Sequence, residues 1–138
     1  MADGTAAAPP YGELAAAFEH GLAGRPTRRQ PLFTALSGGP DSSALALLAA
    51  SFAARHGHRH TALIIDHGIR PDSAAEAIRV RERMRRRGIA AEILAVGAAA
   101  PATGLQAWAR AMRYRLMEAW RTSFAMDWIM TAHHADDQ

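Results

Sequence analysis

Six consecutive residues, Ser37-Gly38-Gly39-Pro40-Asp41-Ser42, interrupt a largely apolar stretch that runs from Leu32 to Leu48. Paired glycines allow backbone conformations closed to other residues and a close approach to an anion, and Ser37, Ser42 and Ser43 add hydroxyl donors. A carboxylate at such a site repels an anion unless a divalent cation stands between them. The residue types therefore predict a phosphate group bound together with magnesium, with Asp41 as a metal ligand. The same six residues also read as a turn in which Asp41 or Ser42 simply caps a helix.

Three further groups of polar residues could do chemistry. Asp66 and His67 end the apolar run "TALIID", where they could face a ligand or act as a strand-end cap and a surface loop. Arg110 and Arg113 stand three apart, a spacing that puts them on one helical face, opposite a tryptophan stripe; two guanidiniums there suit charge developing on an α-phosphate, an RNA phosphate, or plain solvation. His133, His134, Asp136 and Asp137 combine imidazoles with carboxylates. That set could hold a transition metal, but hard oxygen ligands favour magnesium. Two tracts carry less. "RHGHRH" (55–60) has no carboxylate or cysteine beside it and reads as a linker, and "RVRERMRRR" (79–87) reads as a solvated helix face before an RNA contact.

The elements that must position these groups follow from hydrophobic periodicity. Leu32–Leu36, Thr61–Asp66 and Ile89–Val96 are predicted strands, and Asp127–Thr131 begins a fourth. Helices are predicted over Tyr11–Leu22 with Leu14, Ala17, Phe18 and Leu22 on one face, over Ser43–Arg55, and from a Ser73/Glu76 capping box to a stop at Gly88. A last helix, Gly104–Thr122, carries Leu105, Trp108, Ala109, Met112, Leu116 and Trp120 as its apolar stripe. Strand and helix alternate, which predicts an α/β fold with a parallel sheet covered by helices on both faces. In such a sheet ligands bind outside the carboxyl ends of the strands, where the strand order reverses. Ser37–Ser42, Asp66–His67 and His133–Asp137 all fall at such ends. Residues 1–30 are expected to be a tail, disordered over Met1–Pro10, plus one helix; residues 31–138 form the ligand-binding domain.

Composition narrows the chemistry. The 138 residues are 49% hydrophobic, enough for one core, with a net charge of +3. No lysine is present, so a Walker-type phosphate loop cannot form; no cysteine is present, which removes thiolate metal sites and sulfur carriers from this chain. The basic balance suits a polyanion such as ATP or RNA. With no apolar run near eighteen residues and no signal peptide, a soluble cytoplasmic protein without membrane contact is expected.

Ser37-Gly38-Gly39-Pro40-Asp41-Ser42 resembles the SGGxDS pyrophosphate loop of the PP-loop ATPases, and the form with proline is similar to the tRNA(Ile)-lysidine synthetases. "IIDHGIRPDSAAEA" (64–77), "LQAWARAMRYRLM" (105–117) and "TAHHADDQ" (131–138) agree with that family in order and spacing. The resemblance implies a Rossmann-like fold of the adenine nucleotide α-hydrolase type. It also implies ATP and magnesium as cofactors, and a ligase that joins free lysine to the wobble cytidine of tRNA(Ile) through an adenylated tRNA, releasing AMP and pyrophosphate. By resemblance Ser37 to Ser42 hold the pyrophosphate, Asp66 and His67 lie near adenine and ribose, and Arg110, Arg113, His133 and Asp136 act at the α-phosphate, metal or nucleophile. The family continues well beyond the point where this chain stops, so a fragment is expected to lack most of the tRNA surface. A different PP-loop tRNA-modifying enzyme, or a nucleotide-binding remnant without turnover, are the alternative readings.

Overall fold

The computed structural model describes residues 9–22, 24, 26, 30–37, 39–126 and 128–132, except for the side chains of 9–11. Its elements are α1 (Pro9–Leu22), β1 (Leu32–Leu36), α2 (Pro40–His56), β2 (His60–Asp66), α3 (Ser73–Arg86), β3 (Ala90–Ala95) and α4 (Leu105–Ser123). The three strands are parallel in the order β1-β2-β3, with Leu36 opposite Ile64 and Ile64 opposite Ile93. On the other edge of β1, Thr34 forms a parallel bridge with Met130, closed by Ala35 N–H to Met130 O at 2.9 Å and Met130 N–H to Phe33 O at 3.0 Å. The fourth strand predicted from Asp127 is thus represented by this bridge; Asp127 itself lies outside the described residues.

Alternation along the strands assigns each sheet face its cover. Leu36, Ala62, Ile64 and Ala91 turn one way, onto Ala46 of α2 and onto Ala77, Val80 and Met84 of α3. Leu32 meets Phe52 and Ala53 of α2, with Phe18 and Leu22 of α1 beside them. Phe33 and Leu63 turn the other way, onto Met126 and the half-buried Trp120 and Trp128. The Phe33 and Trp120 rings meet edge-on at 5.6 Å, a favoured aromatic geometry. Helices therefore cover both faces, as the alternation of elements predicts.

Some local expectations are corrected. The Ser73/Glu76 capping box does not form: Asp72 is the N-cap with no side-chain cap bond, Ser73 is already helical, and Glu76 pairs instead with Arg79 at 2.6 Å. The stop at Gly88 holds, its φ of +76° being one that side chains resist. Helix α1 begins at Pro9, inside the expected tail, and Leu14 of its predicted apolar face is 56% exposed. In α4 the one buried residue is Met117, which the tryptophan stripe omits, while Leu105 of that stripe is exposed.

Candidate functional site

The chain leaves β1 toward β2 through α2, crosses to β3, and returns through α4 to place Met130 on the opposite edge of β1. The carboxyl end of β1 is thus the point where strand order reverses, and a crevice opens there. Two side chains brace the loop that follows. Ser42 is buried, its Oγ accepts from Ser37 N–H at 3.0 Å, lies 3.0 Å from Ser37 Oγ, and donates to Gly39 O at 3.3 Å. Buried hydroxyls need such partners, and these tie the end of β1 to the first turn of α2. Gly39 is the N-cap, without a side-chain cap bond, and Pro40 stands at the start of the helix, where its missing N–H costs nothing. Asp41 and Ser42 are therefore not caps. Nor does Gly39 use its conformational freedom: its φ is −78°, and a Cβ there would meet Ser37 Oγ at an ordinary 3.7 Å. Gly38 lies outside the described residues.

A cavity of about 300 Å³ lies over this loop, bordered by Ser37, Gly39, Pro40, Asp41 and Ser42 on one side and by His67, Arg113, Thr131 and Ala132 on the other. A second cavity, of about 320 Å³, shares Leu36, Ser37, Ile65 and His67 with it and extends between β2 and α3 over Asp66, Ile69, Ala77 and Val80. Its walls are mostly aliphatic. A third, of about 420 Å³, lies toward α4 between His67, Gln106, Arg110 and Arg113. His67 borders all three.

Asp66 accepts a hydrogen bond from Gly68 N–H at 3.0 Å through Oδ1. This is an Asx turn at the strand end, and the Gly68 φ of +66° is one that favours glycine. It aims the next residue, His67, inward. Burial lowers the His67 pKa, the Arg113 guanidinium lowers it further, and Asp66 opposes them, so the site favours the neutral imidazole. His67 Nδ1 and Arg113 Nε are both buried without a hydrogen-bond partner among the described residues. Such groups cost free energy until something pairs with them, and both stand at the wall of the first cavity.

Arg110 and Arg113 share the wall of the third cavity, but their side of α4 is not opposite the tryptophans. Helix α4 turns Arg113 inward, onto the loop cavity, on the same broad side as Trp120 and Met117, which meet the body of the domain. Arg110 borders the third cavity and a fourth but not the first. Their guanidinium carbons lie 5.2 Å and 5.5 Å from the Tyr114 ring centroid. His133 and Asp136, with His134 and Asp137, lie outside the described residues. Among the described residues no group of three or more His, Cys, Asp or Glu could hold a metal ion. Sequence reasoning missed Ile65, Gln106, Thr131 and Ala132 as wall residues. All four stand inside the quoted motifs, but the apolar pair, Ile65 and Ala132, carries no chemical signal of its own.

The crevice, the braced loop and the parallel sheet define a class: the chain belongs to the PP-loop domain family, whose model matches residues 13–138. Its curated relatives are more particular. It is 40% identical over 109 residues to the tRNA(Ile)-lysidine synthase of Bradyrhizobium sp. (78% of this chain, 30% of that protein). The tRNA(Ile)-lysidine synthase of Hyphomonas neptunium is 40% identical over 129 residues (92% of this chain, 34% of that protein). The chain thus spans about a third of the length of the relatives it matches. Among solved structures it is similar to the U34-tRNA thiolase NcsA from Methanococcus maripaludis with its [4Fe-4S] cluster, at a TM-score of 0.69 and 16% identity, over 91% of this chain and 46% of that one. That likeness is one of fold. No helix among the described residues is long and apolar enough to cross a membrane.

Proposed function

We propose that this chain is the ATP-binding part of a tRNA(Ile)-lysidine synthetase. The observation that carries the reading is the junction at His67: a serine-braced loop beneath one cavity, a largely apolar cavity beside it that shares His67, and, at the wall of the first, nitrogens of His67 and Arg113 that are without a partner among the described residues. In this reading the triphosphate lies over Ser37–Ser42 and the adenine enters the aliphatic cavity beside Asp66 and His67. Loop N–H and hydroxyl groups then take the pyrophosphate that leaves. Arg113 faces the α-phosphate, where charge grows as the wobble cytidine attacks and pyrophosphate departs. Lysine then displaces AMP from the adenylated tRNA. Neutral His67 accepts or donates one hydrogen bond without adding charge beside Arg113.

Magnesium fits the donor set. Asp41 is exposed at the rim of the loop cavity, and this ion is commonly held by one or two carboxylates together with substrate phosphates and water. Asp41 would hold it, with Asp136 as a second ligand; when bound it neutralises phosphate charge. His133 is proposed to position the α-phosphate or the nucleophile. The absence of cysteine from this chain argues against a thiolase.

The test is calorimetric titration of the 138 residues with ATP and magnesium, followed by an assay for AMP with lysine and a tRNA(Ile) transcript. The expected result is ATP binding without AMP release. Holding the cytidine at attack distance can carry about 7–11 kcal/mol of a barrier, and the tRNA(Ile)-lysidine synthases that this chain matches are about three times its length. Failure to bind ATP, or binding GTP equally well, would contradict the reading.

A further inference from the structure

Among the described residues, only His67 borders the loop cavity, the largely apolar cavity between β2 and α3, and the cavity toward α4. A ligand that spans the first two must pass it. With the triphosphate over Ser37–Ser42 and the base beside Asp66, the segment that passes is the ribose with its α-phosphate. The wall at that point holds His67 Nδ1 and Arg113 Nε, two buried nitrogens without a hydrogen-bond partner among the described residues. A phosphate oxygen only accepts hydrogen bonds, so it suits two such donors and relieves the cost of leaving them unpaired.

The two nitrogens differ in one respect: the guanidinium is always charged, whereas the imidazole can gain a charge near neutral pH. Burial and Arg113 both hold His67 toward its neutral form, against the Asp66 carboxylate. A phosphate brought to this wall acts in the opposite sense, because it places negative charge beside the imidazole and offsets the guanidinium that opposed protonation. The remaining charged groups at the cavities around His67 are Asp41 at the start of α2, Arg70 and Glu76 beside the apolar cavity, and Arg110 on α4. Carboxylates and guanidiniums do not ordinarily titrate between about pH 6 and 8, which leaves the imidazole as the group that responds there.

We propose that His67 Nδ1 and Arg113 Nε jointly hold an oxygen of the α-phosphate, and that His67 takes up a proton from solvent as the phosphate binds. The inference rests on the nucleotide reading and adds to it a positioning residue whose charge depends on the ligand. A ligand that raises the affinity of His67 for a proton is itself bound more tightly when protons are abundant, and the gain fades as the pH rises through the imidazole range of the complex. The test is calorimetric titration of the 138-residue chain with ATP and magnesium at about pH 6 and about pH 8, in two buffers of different ionisation enthalpy, which counts the protons taken up. The parent chain is expected to take up protons at the lower pH and to bind ATP several-fold more tightly there. His67→Asn keeps an N–H near the position of Nδ1 but cannot gain the charge, so it should lose that uptake and that pH dependence. His67→Leu removes the donor as well and should weaken binding further, by about tenfold. Protonation of ATP and of every other group is common to the three chains, and their comparison isolates His67. ATP binding without proton uptake, or a parental pH dependence in His67→Asn, would overturn the proposal and leave the nucleotide reading standing. Absence of ATP binding at either pH would overturn both.

Discussion

Helices α2 and α4 are of similar length, 17 and 19 residues, and each connects strands of the same sheet, yet they are built for opposite ends. Helix α2 buries Ser42, Ala46, Ala49, Phe52 and Ala53 along its whole length; α4 buries only Met117 and leaves arginines and a tyrosine half-open to cavities. The small alanines of α2 let it lie close on β1, which fixes the loop at its N-terminus to within a hydrogen bond of the strand. Helix α4 is anchored mainly near its C-terminal end, through Met117, Trp120 and Phe124. One helix stabilises the site and the other meets what enters it. Substitutions in α2 should therefore cost stability, and substitutions in α4 should cost binding.

The largest expected effect tests the first half of that division. Phe52 is 8% exposed and packs edge-on to Phe18 at 6.0 Å. Phe52→Ala should lower the urea-unfolding free energy by about 3–5 kcal/mol. Tyr114→Ala, at a surface position, should stay within about 0.5 kcal/mol of the parent. Equal losses would erase the contrast between the helices.

Next in size is an effect of pH on the sheet beneath α2. His60 Nε2 lies 2.9 Å from Thr34 Oγ1 across the β1–β2 pair, Nδ1 is buried without a partner among the described residues, and burial lowers the pKa from the ordinary 6.5 to about 4. The unfolded chain then binds a proton that the folded chain refuses. Stability is full above pH 6.5 and falls by about 3 kcal/mol as the pH drops to 4. Denaturation curves across that range should show the loss, and His60→Gln should flatten it.

Smaller effects separate the residues at the cavity. Arg113→Ala should weaken ATP binding about tenfold, the loss of one charged contact, and Arg110→Ala should weaken it far less. Titration calorimetry decides between them, and equal losses would return both arginines to one role. Asp41→Ala should weaken ATP binding in magnesium while leaving the melting temperature near that of the parent, since Asp41 is exposed. The smallest effect is electrostatic: Arg113 lowers the His67 pKa, so Arg113→Ala should raise it toward the ordinary value, read from the imidazole proton shifts by NMR.

Much of this was legible in the sequence because the period of a buried strand and the glycine-proline break after it are local signals. Leu32–Leu36 matches β1 residue for residue, and Ser37, Asp41, Ser42, His67 and Arg113 converge on one cavity. What escaped depended on tertiary context. Ser73 and Glu76 have the spacing of a capping box, but the chain turns one residue earlier, so Asp72 takes the cap position and Arg79 takes the glutamate. The inward side of α4 escaped because its spacing admits two readings. A stripe of tryptophans and leucines suggests one face, but the loop cavity admits Arg113, and polar residues facing a cavity look like solvated ones in sequence. That Ser42 braces Ser37 had no local signal, since a serine in a first turn ordinarily reads as a cap.

The claim on which the account turns is that nucleotide phosphates lie over Ser37–Ser42 with the base beside Asp66 and His67. Amide chemical-shift mapping of the isotope-labelled chain during titration with ATP and magnesium tests it directly. Saturable shifts are expected at Ser37, Gly39, Ser42, Asp66, His67 and Arg113, with the amides of Arg83–Arg87 at the opposite end of α3 unmoved. Shifts that leave Ser37, Ser42 and His67 in place while others move, or no saturable shifts at all, would contradict it.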